Sequence, residues 1–516
     1  MTANLLLPEI IIASTACLFF VVGCLVRRDA LWGALAVATL VVAGAVLWWN
    51  PTAASQTADS GLIFDGRATI FRWFGLLVGL AFAVAALRKE RESSVSAECF
   101  GLLMLSVTGM MLVATASDLL VLFLSLELVV VPLYVLMWLA RSESGAERSA
   151  ASQDAARMYC LLGLLASLVL LYGFGLLYGV SGTVDIAEMS HTGVSESPAT
   201  ASGLTAVGKN GLGVVAMLVI LAGLGMRMGI VPFHFGQIDV LEETTAWNAG
   251  LLCVVPRIAA VVVAMRVLIE GMPGFERTGR LAVILVAAVT MAVGTATALR
   301  QVRLRCMLAS LATAHMGFAL MALAAGFGHR IADKPAPASV STIPGGEAAC
   351  VVWLIVYGIS IAGLFVFLSY LEKRDRRIEH IEDLAGLFRD EPWAAGGAVI
   401  LLASLAGLPL TIGFWSRWSV FIAGLSMPVG PQNLALTGVH PGFVLLAFLA
   451  MAHLLASVAV SLKIVSAMFL DGRISRPQPT GGKAALAVVV LAAVASVVGG
   501  LSPKLILQVA LLSEWP

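Results

Sequence analysis

The chain has 516 residues, is 59% hydrophobic and only 12% charged, and has a mean hydropathy of +0.96. Soluble domains carry about 25% charged residues, so this composition defines an integral membrane protein. A net charge of +1 offers nothing to nucleic acid or to an acidic partner.

Roughly 20 mostly apolar residues make a bilayer-spanning helix, and by that measure the sequence predicts about fourteen of them. The first eight lie near 5–26, 30–49, 68–87, 98–116, 118–140, 155–180, 211–233 and 246–270. The others lie near 281–299, 304–326, 349–370, 394–424, 442–470 and 484–508. The opening stretch MTANLLLPEIIIAS has no basic leader and carries Glu9, so it reads as a first spanning helix and not as a cleavable signal peptide. The seven cysteines form no C-x-x-C pair, which suggests neither an iron–sulfur cluster nor a disulfide framework. Cys17, Cys24, Cys160 and Cys253 sit in apolar runs and read as small core residues.

Loops after odd-numbered spans hold 19 lysines and arginines, while even-numbered loops and the C-terminal end hold 8. The positive-inside bias then predicts odd loops in the cytoplasm and both termini on the other side. Loops between spans do not exceed about 30 residues, which leaves no soluble domain.

The informative residues are charges inside the apolar runs, because each costs about 2.5–3.5 kcal/mol at a helix centre. Glu127 stands in LSLELVVVPLY, and Arg227, Arg257 and Arg417 also lie well inside their spans. Arg266 and Lys463 are nearer span ends and read as snorkelling side chains. For the others the bland reading is a static ion pair between helices, and the functional one is a charge relay.

Two spans combine a charge with a helix breaker. LAGLGMRMGIVPFHFG (221–236) places Arg227 before Pro232, and LAGLPLTIGFWSRWS (405–419) places Pro409 before Arg417. A proline inside a span removes a backbone donor, and such breaks survive where protein or water covers the freed groups. Paired breaks of this kind point to an inverted-repeat transporter with its site at the breaks. His234 follows the first break, and His315 lies in LATAHMGFAL. Each reads either as a packing residue or as a proton-relay station, since histidine titrates near neutral pH. His453 carries a weaker form of the same choice. Zinc-protease, Walker and dinucleotide-binding motifs and nucleophile elbows are absent from the sequence.

Several stretches together resemble a known family. They are LPEI near the start, SDLLVLFLSLELVVVPLYVL (117–136), LLYGVSGTVDI (176–186), GIVPFHFGQIDV (229–240) and PRIAAVV (256–262). LRQVRLRCMLAS (299–310), AHMGF (314–318), IEDLAGLFRDEP (381–392) and SLAGLPLTIGFWSRW (404–418) complete the set. In this order they resemble subunit N of NADH-quinone oxidoreductase (respiratory complex I), an antiporter-like membrane subunit akin to those of multisubunit cation/proton antiporters.

The resemblance implies an all-α polytopic membrane protein of about 14 transmembrane helices with two inverted five-helix repeats, each containing a broken helix. The implied layout is an N-terminal three-helix segment (1–97), an antiporter-like core (98–470, repeats about 98–270 and 281–470) and a C-terminal helix (471–516). The implied function is proton translocation in the membrane arm, coupled to electron transfer from NADH to quinone elsewhere in the complex. This chain would be a non-redox, translocase-class subunit binding no cofactor or metal itself. NADH, FMN, iron–sulfur clusters and quinone would belong to other subunits. Its partners would be other membrane-arm subunits, the lipid bilayer and protons, with no nucleic acid, in the bacterial inner membrane. Glu127 matches the family's fifth-helix glutamate, and His315 matches the AHMG histidine. Arg227, Arg257 and Arg417 fall where the family has lysines on helices seven, eight and twelve, and Met158 replaces the lysine before the sixth-helix tyrosine.

The exchange of lysine for arginine bears on mechanism. Neutralising an arginine at pH 7 costs roughly 7 kcal/mol, so arginine stays charged in proteins. Either the arginines are fixed cations that steer protons held by water, His315 and Glu127, or the chain is a divergent paralogue with a weak or silent proton path. A cation/proton antiporter subunit and a purely structural scaffold are the alternatives outside complex I. Glu127 is expected to pair with Arg227, which would offset the cost of its burial.

Overall fold

The computed structural model describes residues 2–23, 25, 29–49, 56–58, 61–87, 97–139, 146–191, 203–331, 345–372, 378–425, 441–469 and 482–513. Apolar stretches of this length must satisfy their backbone groups internally, and a helix does so. The main helices in chain order are α1 (Leu7–Gly23), α2 (Asp29–Trp49), α3 (Gly66–Ala86), α4 (Ala97–Thr115), α5 (Leu119–Leu139) and α6 (Ala146–Ser181). Next come α7 (Gly203–Met228), α8 (Phe235–Glu243), α9 (Ala246–Ala264, continued by a π-helical turn Met265–Glu270), α10 (Glu276–Arg300), α11 (Leu304–Ile331) and α12 (Gly346–Leu371). The last are α13 (Pro392–Ala406), α14 (Ile412–Leu425), α15 (Pro441–Phe469), α16 (Gly482–Leu501) and α17 (Pro503–Ser513). Among the described residues, 12 helices are long and apolar enough to cross a membrane, and the apolar helices Leu7–Gly23 and Pro392–Ala406 are shorter.

A small departure from the all-helical expectation is an antiparallel hairpin, Gln56–Ala58 with Leu62–Phe64. The Gly61 carbonyl accepts from Ser117 N–H at 2.9 Å, between α4 and α5, and Leu62 bridges to Ala116.

Helices α9 and α11 are buried along their membrane-length stretches, and α12 nearly so. These three form the centre. Outer helices bury one face and turn leucines outward, as on α6, where Leu161, Leu164, Leu168 and Tyr172 form an exposed stripe at helical spacing. An apolar stripe of that kind suits lipid or a neighbouring membrane subunit.

Ion pairs tie the bundle together. Arg72 on α3 is 1% exposed and grips Glu9 on α1 through Nε–Oε1 at 2.6 Å and Nη2–Oε2 at 2.9 Å. Its Nη2 also donates to the Leu5 carbonyl at 2.6 Å. A buried Arg305–Glu372 pair joins the start of α11 to the end of α12. Arg305 also donates to the Thr244 carbonyl and Glu372 accepts from Ala246 N–H at 3.2 Å, so the pair clamps the corner between α8 and α9.

Two sequence expectations need correction. Arg266 does not snorkel. It is 3% exposed, bonds Asp65 (Nη1–Oδ2 2.8 Å) and donates to the Ala114 carbonyl at 3.1 Å. The π-helical turn carries Arg266 at its start, and the carboxylates of Asp65 and Glu270 compensate its charge. Arg67 joins the same cluster through Glu270 and through Glu347 at 2.7 Å. Burial would raise the Asp65 carboxyl, but the Arg266 and Arg67 charges and the Ala68 N–H outweigh it and hold it below the ordinary value of 3.8. Cys17 is the second correction. It is exposed, because α1 buries the opposite face through Ile12, Ala16 and Phe19. Cys253 is buried and Cys160 half-buried, while Cys24 lies outside the described residues. Lys463 is exposed, with its Nζ 3.5 Å from the Gln301 carbonyl, which fits snorkelling.

Candidate functional site

Both expected breaks are present. After α7 the chain turns through Gly229, whose φ is +67°, and resumes as α8. After α13 it turns through Gly407 (φ +74°) and Leu410 (φ +73°) and resumes as α14. Glycine adopts positive φ without the penalty that a Cβ imposes. Space adds a second reason. A Cβ on Gly229 would collide with Gln237 Oε1 and sit 3.3 Å from Arg257 Nη2, and one on Gly407 would strike the Arg417 side chain. Each break glycine therefore lies against a buried arginine.

A helix that stops inside the bundle leaves backbone carbonyls to be satisfied. At the first break, Gln237 Nε2 donates to the Met226 carbonyl at 2.7 Å, and Arg257 Nη2 donates to Gln237 Oε1 at 3.3 Å. At the second, Arg417 Nη2 donates directly to the Leu405 carbonyl. Cations are favoured at helix C-termini, so these two arginines hold the broken ends of α7 and α13. Neither has a carboxylate partner among the described residues. Arg417 instead lies over the rings of Phe318 (5.4 Å) and Trp353 (5.5 Å). Arg257 is fully buried beside Tyr357, whose hydroxyl donates to the Cys253 carbonyl at 2.8 Å.

Glu127 is bonded to Arg227 Nη2, which also donates to Ser167 Oγ at 2.7 Å. The Arg227 side chain is 2% exposed and the Glu127 side chain 20% exposed, so the carboxylate is the outer member of the pair. Beside them is a cavity of about 290 Å³ lined by Tyr134, Met158, Tyr159, Arg227, Gln237 and Pro256, among others. Tyr134 and Tyr159 stack edge to face at 5.2 Å, and Tyr159 is within electrostatic reach of both Arg227 and Arg257. The side chains thus run in a row from Glu127 and Arg227, past Tyr159, to Gln237, Arg257 and Tyr357.

His315 continues the row. Its ring centre is 6.4 Å from Tyr357, 5.5 Å from Trp353 and 4.8 Å from His453. Trp353 touches both His315 and Arg417, so it joins the two. Of the residues singled out in the sequence, Glu127, Arg227, Arg257, His315 and Arg417 share this row. His234 does not. It is buried against Phe235 at 3.8 Å, and neither ring nitrogen has a hydrogen-bond partner among the described residues.

Gln237, Tyr357, Ser167 and Trp353 carry no charge, and nothing in their sequence context marks them. Arg67 and Arg72 do leave a signal, two cations at the head of an apolar run, but run length alone does not register it. His453 shows its importance only once α15 and α11 are packed together.

A helical bundle with two interrupted helices and a buried ionic row defines an antiporter-like membrane protein. The family model described as NADH:quinone oxidoreductase/Mrp antiporter, TM matches residues 116–334 and 336–443. The chain belongs to this family, and within it to the subunit N group of NADH-quinone oxidoreductases. NADH-quinone oxidoreductase subunit N of Parvibaculum lavamentivorans is 31% identical over 479 residues, covering 90% of this chain and 87% of that protein. Subunit N of Gemmatimonas aurantiaca is 31% identical over 476 residues, covering 90% and 82%. In fold, the chain is similar to a chain of respiratory complex I from Thermus thermophilus with bound aureothin (TM-score 0.75, 24% identity, 97% and 98% covered). It is also similar to one of the Mrp complex from Dietzia sp. (TM-score 0.79, 20% identity, 99% and 97% covered).

Proposed function

We propose that this chain is a proton-translocating membrane-arm subunit of an NADH-quinone oxidoreductase, and that its buried row carries the proton. The observation that supports this most is the succession of polar side chains from the Glu127–Arg227 pair, by Gln237 and Arg257 at the first helix break, to Tyr357 and His315, with Trp353 joining His315 to Arg417 at the second. The chain works as a non-redox subunit, with NADH and quinone handled by its partners. It sits in the bacterial inner membrane with both termini on the non-cytoplasmic side, as the loop charges direct.

Within the row the arginines act as fixed cations. Arg227 is anchored to a carboxylate, Arg257 to the Gln237 side chain, and Arg417 to a backbone carbonyl and two rings, and arginine as a rule keeps its charge in proteins. Protons are therefore held by Glu127, the histidines and water. When Glu127 is protonated, Arg227 loses its counter-charge and its field extends to the cavity beside Tyr159. A proton further along the row is then repelled, and loss of the Glu127 proton restores the pair. The coupling is electrostatic and needs no charge movement by the arginines.

Vesicles holding the intact complex test this reading. NADH oxidation by quinone is expected to acidify one side. Proton flux that depends on sodium and proceeds without an electron donor would instead favour a cation/proton antiporter.

A further inference from the structure

Helix α15 carries His453, Ser457 and Ser461 at successive i, i+4 positions, and all three are buried. In a helix facing lipid along its other side, three buried polar groups in line need partners. Thr295 Oγ1 on α10 is 2.8 Å from His453 Nδ1. His453 Nε2 is 3.3 Å from His315 Nδ1 on α11, with the two rings nearly perpendicular. Ser457 Oγ is 3.3 Å from His453 Nε2, and Ser461 Oγ donates to the Leu402 carbonyl at 3.4 Å. The far nitrogen of His315, Nε2, is buried without a hydrogen-bond partner among the described residues. The charged and titratable groups on the row side of this pair are Arg417 and Tyr357.

Thr295 is only half-buried and lies five residues from the end of α10, about 7.5 Å at 1.5 Å per residue. That end of the bundle also carries Gln301 and Lys463, which touch each other. From Thr295 inward to His315 Nδ1, each helix contact is crossed between hydrogen-bonding atoms no more than 3.3 Å apart. We infer that His453 and His315 form a two-ring proton relay that opens the buried row, through Thr295, to the bundle end carrying Gln301 and Lys463. This rests on the proton-carrying reading above and adds the row's second opening, with Glu127 at the first.

The proton balance is simple. In the resting relay His453 carries its hydrogen on Nε2 and donates it to His315 Nδ1, while His315 carries its own on Nε2. The Thr295 hydroxyl passes its hydrogen to His453 Nδ1 as its oxygen takes a proton from a hydronium ion arriving from the bundle end. O–H forms as O–H breaks, so no alkoxide is left. The His453 Nε2–H bond breaks as N–H forms at His315 Nδ1, and the His315 Nε2–H bond breaks as that proton passes to a water molecule of the row. Both rings end neutral in the other tautomer, and each must return its proton to Nε2 before the next passage.

The test is the number of protons moved per electron by the intact complex in vesicles, compared among His453→Gln, Thr295→Val, Glu127→Gln and the double variant Glu127→Gln/His453→Gln. A row with two openings is blocked equally at either, so each single variant and the double variant should lose the same fraction while quinone reduction continues. Additive losses would mean separate effects and would overturn the relay. Should His453→Gln fail to assemble, Thr295→Val decides alone, because it leaves the histidines and the helix packing in place. A normal ratio in Thr295→Val or His453→Gln beside a lowered ratio in Glu127→Gln overturns the relay only. A normal ratio in all of them overturns the proton-carrying reading itself.

Discussion

Arg417 donates its Nη2 hydrogen to the carbonyl of Leu405, twelve residues earlier, across the break between α13 and α14. The guanidinium closes the helix end that the break opened, and the mutually packed rings of Phe318 and Trp353 lie against it. Arg417→Met should leave that carbonyl unsatisfied and cost about 1–3 kcal/mol, and it also removes the attraction between the cation and the two rings. Arg417→Lys keeps the charge but not the planar fork, so it should cost less. Thermal unfolding of the purified complex measures both.

The two break glycines should be intolerant for a common reason. Gly229→Ala and Gly407→Ala each force a side chain into positive φ and against a buried arginine contact, with an expected loss above about 1 kcal/mol. Gly175→Ala is the control, because it lies inside α6 with open space where its Cβ would go. It should be stabilising by roughly 0.5–1 kcal/mol. Equal effects at all three positions would contradict the geometry at the breaks.

The Asp65–Arg266 pair predicts an acid limit. The Asp65 carboxyl is held below its ordinary 3.8, so its contribution is fully present above that pH and is lost as pH falls through the lowered value. Asp65→Asn should remove that part of the pH dependence. It should also cost about 3–5 kcal/mol at neutral pH by leaving Arg266 buried beside a weaker partner. Unfolding followed at neutral and acid pH reads both effects.

Glu9 anchors the first helix. Glu9→Gln leaves Arg72 buried without its counter-charge, and α1 should loosen from α3. The expected cost is again about 3–5 kcal/mol, seen as earlier protease cleavage near the N-terminus while the core stays protected. Arg72→Lys should be intermediate, since lysine cannot meet both carboxylate oxygens in parallel.

Much of this architecture is legible in the amino-acid letters. Apolar run length marks the helices, and proline next to charge marks both breaks, because a membrane leaves few ways to accommodate either. Glu127 stands out for the same reason, and so do the three buried arginines. Pairing between distant helices is what the letters do not show. Arg266 looks like a residue near a span end because hydropathy carries no information about Asp65, 201 residues away. Gln237, Tyr357 and Trp353 are ordinary letters in apolar or mixed stretches, and their roles come from where α8 and α12 meet the breaks. His453 becomes informative only when helix packing sets it against His315.

The most direct test of the buried row is the proton-to-electron ratio of the intact complex with Glu127→Gln, set beside the unmodified chain in the same vesicles. Glutamine keeps the shape and a hydrogen-bond acceptor for Arg227 but cannot exchange a proton. The ratio should fall while electron transfer to quinone continues, and an unchanged ratio would show that protons cross the membrane without this row.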